Sequence, residues 1–181
     1  MARLNSCGFE LRSAVGGVEF GATLTGTIST TIFHGGSASW RVTSLGSSLR
    51  KAAHFTHNTG AEGGPYFNRV YLRIATLPSA ENTIISHYNN AGSTALLYVT
   101  LGSDGALRLY DEDGQIGSNS SALSTNRWYR IETKIDTSGS AGSHVGEARI
   151  DGSVFATASN RSISTNSRLV LIGGNVRLEA Q

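Results

Sequence analysis

Apolar and polar side chains alternate with a period of two along most of this chain. The pattern is cleanest over residues 128–136. There Tyr129, Ile131 and Ile135 fall on one parity, while Trp128, Arg130, Glu132 and Lys134 fall on the other. Successive residues of a strand point to opposite faces, so this segment is a strand with one apolar and one polar face. Residues 137–143 form a Ser/Gly loop and residues 147–150 a returning strand. Asp151-Gly152 then makes a tight turn into Val154-Phe155-Ala156. The unit is one hairpin followed by another.

The same alternation predicts strands over 9–12, 22–33, 37–45, 49–57, 66–75, 83–88, 95–101, 106–110, 168–172 and 175–180. Over 66–75, Val70, Leu72 and Ile74 share one parity, and Arg69, Tyr71 and Arg73 the other. Gly, Asn, Asp and Pro punctuate these runs at 34–36, 58–60, 78–82, 89–92, 102–105 and 111–114, where turns belong. Residues 60–65 and 117–125 are loops. No segment carries a helical stripe, and no repeat period appears. Twelve to fourteen short strands at regular spacing imply two packed antiparallel sheets, with the first and last strands side by side. The expected core is Trp40, Val70, Leu72, Ile74, Leu109, Tyr129, Ile131, Ile135, Ile150 and Leu171.

Composition agrees with an all-β chain. Its 22 Gly and low charged fraction of 15% suit short strands joined by tight turns. A length of 181 residues accommodates one domain, 1–181, with a full core and no linker. Net charge is only +2, and no basic run exceeds Arg50-Lys51, so nucleic acid is not an expected partner. No apolar run approaches a membrane span, so no membrane insertion is expected. Cys7 is the only cysteine, which excludes an intrachain disulfide and a thiolate zinc site; His54 and His57 lack a third ligand nearby. The first eight residues lack the apolar core of a signal peptide, so the chain is expected to stay in the cytoplasm in which it is made until something else exports or releases it.

The segment Trp128-Tyr129-Arg130-Ile131-Glu132, followed by a strand ending Ile150-Asp151-Gly152, resembles the core of the concanavalin A-like lectin/glucanase jelly roll in its laminin-G-like branch. The run from Tyr71 to Leu77-Pro78 is similar to that family's Leu-Pro corner, and Asp104-Gly105-Ala106-Leu107 to its Asp-Gly-x-Leu hairpin. Gly8-Phe9-Glu10 fits small proteins of this type found in bacteriophage virions. The resemblance spans nearly the whole chain through short, permissive motifs, which specify architecture better than activity.

Retaining glucanases of this fold place Glu-x-Asp-x-Glu on one strand, so that two carboxyl groups stand about 5 Å apart. Glu132-Thr133-Lys134-Ile135-Asp136 has the matching parity, but Lys134 occupies the central position. Asp111-Glu112-Asp113 lies in a turn, where alternation no longer aligns side chains. Arg69, Tyr71, Arg73 and His87 are residue types used by polysaccharide lyases, without the lyase motifs. The expectation is therefore a protein that is not an enzyme. The resemblance implies a calcium ion at the sandwich rim in many relatives. Here Asp104, Asp111, Asp113 and Asp151 are the candidate ligands, though Asp-Gly pairs are first of all turn residues; no other cofactor is expected.

A glycan needs an exposed aromatic platform with planar polar groups around it. Of Tyr66, Tyr71, Tyr88, Tyr98, Tyr110 and Trp128, only Tyr71 sits between arginines on a polar parity. Arg69, Tyr71, Arg73, Arg130 and Glu132 are the candidate ligand-binding residues, on one charged, concave surface if their strands share a sheet. The plainer alternative is a solvated face laced by cross-strand ion pairs. The resemblance implies a structural or adhesive protein of a bacteriophage particle, in a capsid decoration or a minor tail component. Its expected partners are other virion subunits, glycans, and a second copy of itself in a homo-oligomer. A carbohydrate-binding lectin-like module is the second reading, and a polysaccharide hydrolase or lyase the third.

Overall fold

The computed structural model describes residues 27–42, 53–56, 65–89, 94–163, 169–172 and 177–180. Thirteen strands form among them. They are β1 (Thr27–Ser29), β2 (Ser39–Val42), β3 (Ala53–Thr56), β4 (Pro65–Thr76), β5 (Asn82–Tyr88), β6 (Ala95–Leu101), β7 (Leu107–Asp111), β8 (Gly114–Ile116), β9 (Trp128–Asp136), β10 (His144–Ile150), β11 (Ser153–Arg161), β12 (Leu169–Ile172) and β13 (Arg177–Ala180). Seven of them make one antiparallel sheet in the order β1-β2-β13-β4-β9-β10-β11. The other six make a second in the order β3-β12-β5-β6-β7-β8.

The centre of the seven-stranded sheet is the β4–β9 pair. It runs in unbroken register from Pro65 opposite Asp136 to Arg73 opposite Trp128. Along β9 every second side chain is buried, from Tyr129 through Ile131 and Thr133 to Ile135. Val70, Leu72 and Ile74 of β4 point the same way. They meet Ile85, Leu97, Val99, Leu101, Leu107 and Leu109 of the second sheet in a single apolar cluster. Burying a large aliphatic side chain contributes about 1.5–3 kcal/mol. Trp40 of β2 and Ile116 of β8 extend the same cluster.

Two glycines show why their residue type is needed. A Cβ on Gly146 would stand 2.7 Å from Ile116 Cδ1 and 2.9 Å from Leu97 Cδ1, so its absence lets β10 lie close to the opposite sheet. Asp151 (φ 52°) and Gly152 (φ 93°) form the tight β10–β11 turn, the left-handed pair that a two-residue hairpin needs.

The elements expected from alternation form where they fall within the described residues, with four corrections. The strand over 22–33 is confined to Thr27–Ser29 in its described part. Beyond it, Ser29 Oγ accepts from the Ile32 N–H and Ser39 Oγ donates to the Ile32 carbonyl, so side chains replace a ladder. β8 falls between the turn expected at 111–114 and the loop expected at 117–125, where no strand was assigned. β11 runs on to Arg161 through small polar residues with little alternation to mark it. Ile150 is half-buried, packed against the core edge rather than within it. Cys7, the 9–12 strand and its pairing, His57 and the 60–64 loop lie outside the described residues, as does the side chain of Leu171.

Candidate functional site

On the outer face of the seven-stranded sheet, strand register sets polar side chains in rows. Arg69 of β4 lies opposite Glu132 of β9, which lies opposite Arg149 of β10. Phe67, Lys134 and Glu147 form the next row, and Tyr71 pairs with Arg130. The expected single surface is thus assembled from β4, β9 and β10, because their alternation and register coincide.

The structure brings three of the five candidate residues into contact. Arg69 donates from Nε to Glu132 Oε1 at 2.7 Å, and its Nη2 lies 2.6 Å from the same oxygen. Arg130 Nε lies 3.3 Å from Glu132 Oε2, within ion-pair range but without hydrogen-bond alignment. One carboxylate therefore sits between two guanidinium groups. The remaining charges pair locally. Arg149 meets Glu147 at 2.7 Å, and Lys134 meets Asp136 at 3.5 Å. Hydrogen bonding to Glu147 raises the Arg149 pKa above its usual value. Partial burial pushes the Asp136 carboxyl up, but hydrogen bonds from Ser138 and the Lys134 charge outweigh it and leave the pKa below the usual value.

Tyr71 is not a bare platform. His34, from the connection between β1 and β2, stacks on its ring with centroids 4.1 Å apart, and Trp128 meets His34 edge-on at 5.8 Å. Arg73 stands apart from the Arg69–Glu132–Arg130 group and donates to Asn126 Oδ1 at 2.7 Å. The half-exposed aromatic on this face is Phe67, which keeps 53% of its surface open. The Lys134 ammonium lies 5.9 Å from its ring centroid. Phe67, Glu132, Lys134, Glu147 and Arg149 line a depression of about 270 Å³.

Sequence reasoning missed Phe67 because the aromatic candidates were Tyr and Trp. Parity was a sufficient signal, since Phe67 shares the polar side of β4 with Arg69 and Tyr71. His34 gave no local signal, because only the fold brings its loop over β4.

The structure separates His87 from Tyr71. His87 is fully buried in the second sheet, while Tyr71 lies on the outer face of the first, so the four lyase-type residues do not form one site. Tyr98 and Tyr110 stack at 5.3 Å on the other sheet, half-buried rather than in the core.

Three of the four rim aspartates, Asp104, Asp111 and Asp151, are engaged by different partners. Asp104 accepts from Arg108 at 2.6 Å and from the Ala106 N–H, and the Arg108 hydrogen bond lowers its pKa. Asp111 is buried against Arg161 and also accepts from the Asp113 N–H at 2.9 Å. Asp113 is exposed in that turn. Asp151 accepts from the Arg130 N–H at 2.8 Å, which pins the hairpin turn to β9. Among the described residues, no three His, Cys, Asp or Glu side chains converge as metal ligands.

No family model matches the chain, and no curated protein matches it by sequence. Solved structures do match. An endo-β-1,4-glucuronan lyase of the fungus Trichoderma reesei superposes with a TM-score of 0.59 at 11% identity, over 86% of this chain and 83% of its own. The cellulose induced protein Cip1 gives 0.59 at 19% identity, over 86% and 81%. The carbohydrate binding module CBM66 from Bacillus subtilis gives 0.51 at 10% identity, over 87% and 89%. At these identities the likeness is one of fold. The chain has the concanavalin A-like jelly-roll sandwich.

Proposed function

We propose that this protein is a non-catalytic carbohydrate-binding module that holds a glycan on the outer face of β4, β9 and β10. The observation that carries this reading is Phe67. A large aromatic ring stands 53% exposed at a depression otherwise lined by Glu132, Thr133, Lys134, Glu147 and Arg149. A sugar ring presents an apolar face that packs on an aromatic ring, and hydroxyls that accept from Arg and Lys and donate to Glu. The fold itself serves both binding modules and lyases, so function has to be argued from the site.

The site supports binding without turnover. Hydrolysis by two carboxyl groups needs one to arrive protonated and the other to stand clear as nucleophile or base. Glu132 is spent between Arg69 and Arg130, and Asp136 is held in its charged form by Ser138 and Lys134. Lys134 lies between them in sequence where a third carboxylate would be needed. A bacteriophage particle, suggested by the sequence resemblance, is a further proposal about where such a module works. Co-purification with virions tests it.

The main experiment is affinity electrophoresis and calorimetry against neutral and acidic polysaccharides, with product analysis on the same mixtures. The expected result is binding that weakens roughly tenfold in Phe67→Ala, with no new reducing ends and no unsaturated products. Absence of binding across the set overturns the reading. So does product release that disappears in Glu132→Gln.

A further inference from the structure

Resting on the glycan-binding reading, the geometry points to a particular ligand chemistry: we propose that the Arg69–Glu132–Arg130 group recognises the carboxylate of a uronic acid residue. Two guanidinium groups share one carboxylate here, while Glu147 and Asp136 each have their own cationic neighbour. The surplus positive charge on this part of the face is therefore concentrated at one place. Arg69 presents it, since its side chain is 60% exposed while that of Glu132 is only 18% exposed. A planar guanidinium that already holds one carboxylate edge-on keeps further N–H donors for a second.

The neighbours of Arg69 give that charge its context. On β4 it lies two residues from Phe67 and two from Tyr71, all on one face. Each two-residue step along a strand is about 7 Å. A basic group thus stands between the open Phe67 ring and the His34–Tyr71 stack, with aromatic surface on either side. A neutral saccharide would use the aromatic surface and leave the surplus charge unmatched. A uronate uses both: its ring packs on Phe67 and its carboxylate meets Arg69 and Arg130. The spacing favours a chain laid along β4.

The test compares polygalacturonate with the same polymer after carboxyl reduction, which is neutral. Wild type is expected to bind the acidic polymer at least about tenfold more tightly, because hydrogen bonds to charged groups are the stronger ones. That preference should shrink as salt rises. Arg69→Gln is expected to abolish the preference, and Arg69→Lys to restore only part of it, because lysine keeps the charge without the planar fork. Thermal melts show that each variant is folded. Equal affinity of wild type for both polymers overturns uronate recognition while leaving the glycan reading standing. Binding to neither, where another polysaccharide of the set does bind, overturns uronate recognition alone; binding to none of the set overturns both. A preference that survives in Arg69→Gln overturns the assignment to this group.

Discussion

His87 of β5 and Thr133 of β9 meet across the interior, Nε2 to Oγ1 at 2.7 Å, and so join the two sheets through a polar contact. Both are buried, His87 completely and Thr133 to 2% exposure. A buried polar atom left without its partner keeps its desolvation cost. Thr133→Val preserves shape and removes the hydroxyl. It is expected to lower stability by about 1–3 kcal/mol, with an unchanged dependence on urea. A Thr133→Val protein as stable as wild type would show that this bridge contributes nothing net.

Core and site separate cleanly on neighbouring positions of β9. Ile131 is 1% exposed in the shared cluster, whereas Glu132 lies on the outer face. Ile131→Ala is expected to cost about 2–5 kcal/mol in urea denaturation. Arg69→Gln, which removes a largely exposed ion pair, should cost at most about 1 kcal/mol. If Arg69→Gln unfolds the protein as readily as Ile131→Ala, this face is structural rather than ligand-directed.

The sandwich was legible because period-two alternation is written locally. The parity of Val70, Leu72 and Ile74 and of Tyr129, Ile131 and Ile135 orients β4 and β9 without knowledge of their partner. Placing Arg69 beside Glu132 needed only the further fact that the two strands pair. What was not legible depends on distant chain segments. His34 covers Tyr71 from a loop, and Thr133, inward by parity, finds its polar partner in His87 of the other sheet. Asp111 read as a rim residue because it opens an acidic turn. It is buried on the inward parity of Leu107 and Leu109, and the cation that matches its charge, Arg161, is fifty residues away. The 22–33 strand was over-read because β-branched residues suit strands, while Ser29 and Ser39 bind the local backbone instead.

That Asp111–Arg161 pair is the next prediction. The Asp111 side chain is 1% exposed and that of Arg161 18%, and both guanidinium contacts go to this one carboxylate. Removing one member of a buried pair strands the other charge. Asp111→Ala is expected to cost about 3–5 kcal/mol and also to release the Asp113 N–H. Asp111→Leu combined with Arg161→Met should recover much of that loss, because two apolar groups leave no charge unmatched. Thermal melts of the single and double variants measure the difference. A double variant no more stable than Asp111→Ala would refute this account.

The loop after β9 carries a pH-dependent contribution. Asp136 Oδ1 accepts from Ser138 Oγ at 2.7 Å and from the Ser138 N–H at 3.2 Å, and Lys134 Nζ lies 3.5 Å from Oδ2. Partial burial disfavours the charged form, yet these contacts prevail and the folded pKa is lowered. An unfolded aspartate titrates at about 3.9. A carboxyl with a depressed folded pKa stabilises the fold above the unfolded value, and loses that contribution as pH falls through the folded one. Asp136→Asn removes the charge and keeps the shape. The stability gap between wild type and Asp136→Asn should therefore hold steady from pH 7 to about pH 5, then narrow as pH falls below the unfolded value. Urea midpoints at pH 7, 5, 4 and 3 follow it. Asp104, whose pKa is lowered through Arg108 on an exposed hairpin, has the same sign, but solvent screening should leave Asp104→Asn with the smaller gap. A gap for Asp136→Asn that stays constant to pH 3 would place its origin in packing rather than in ionisation.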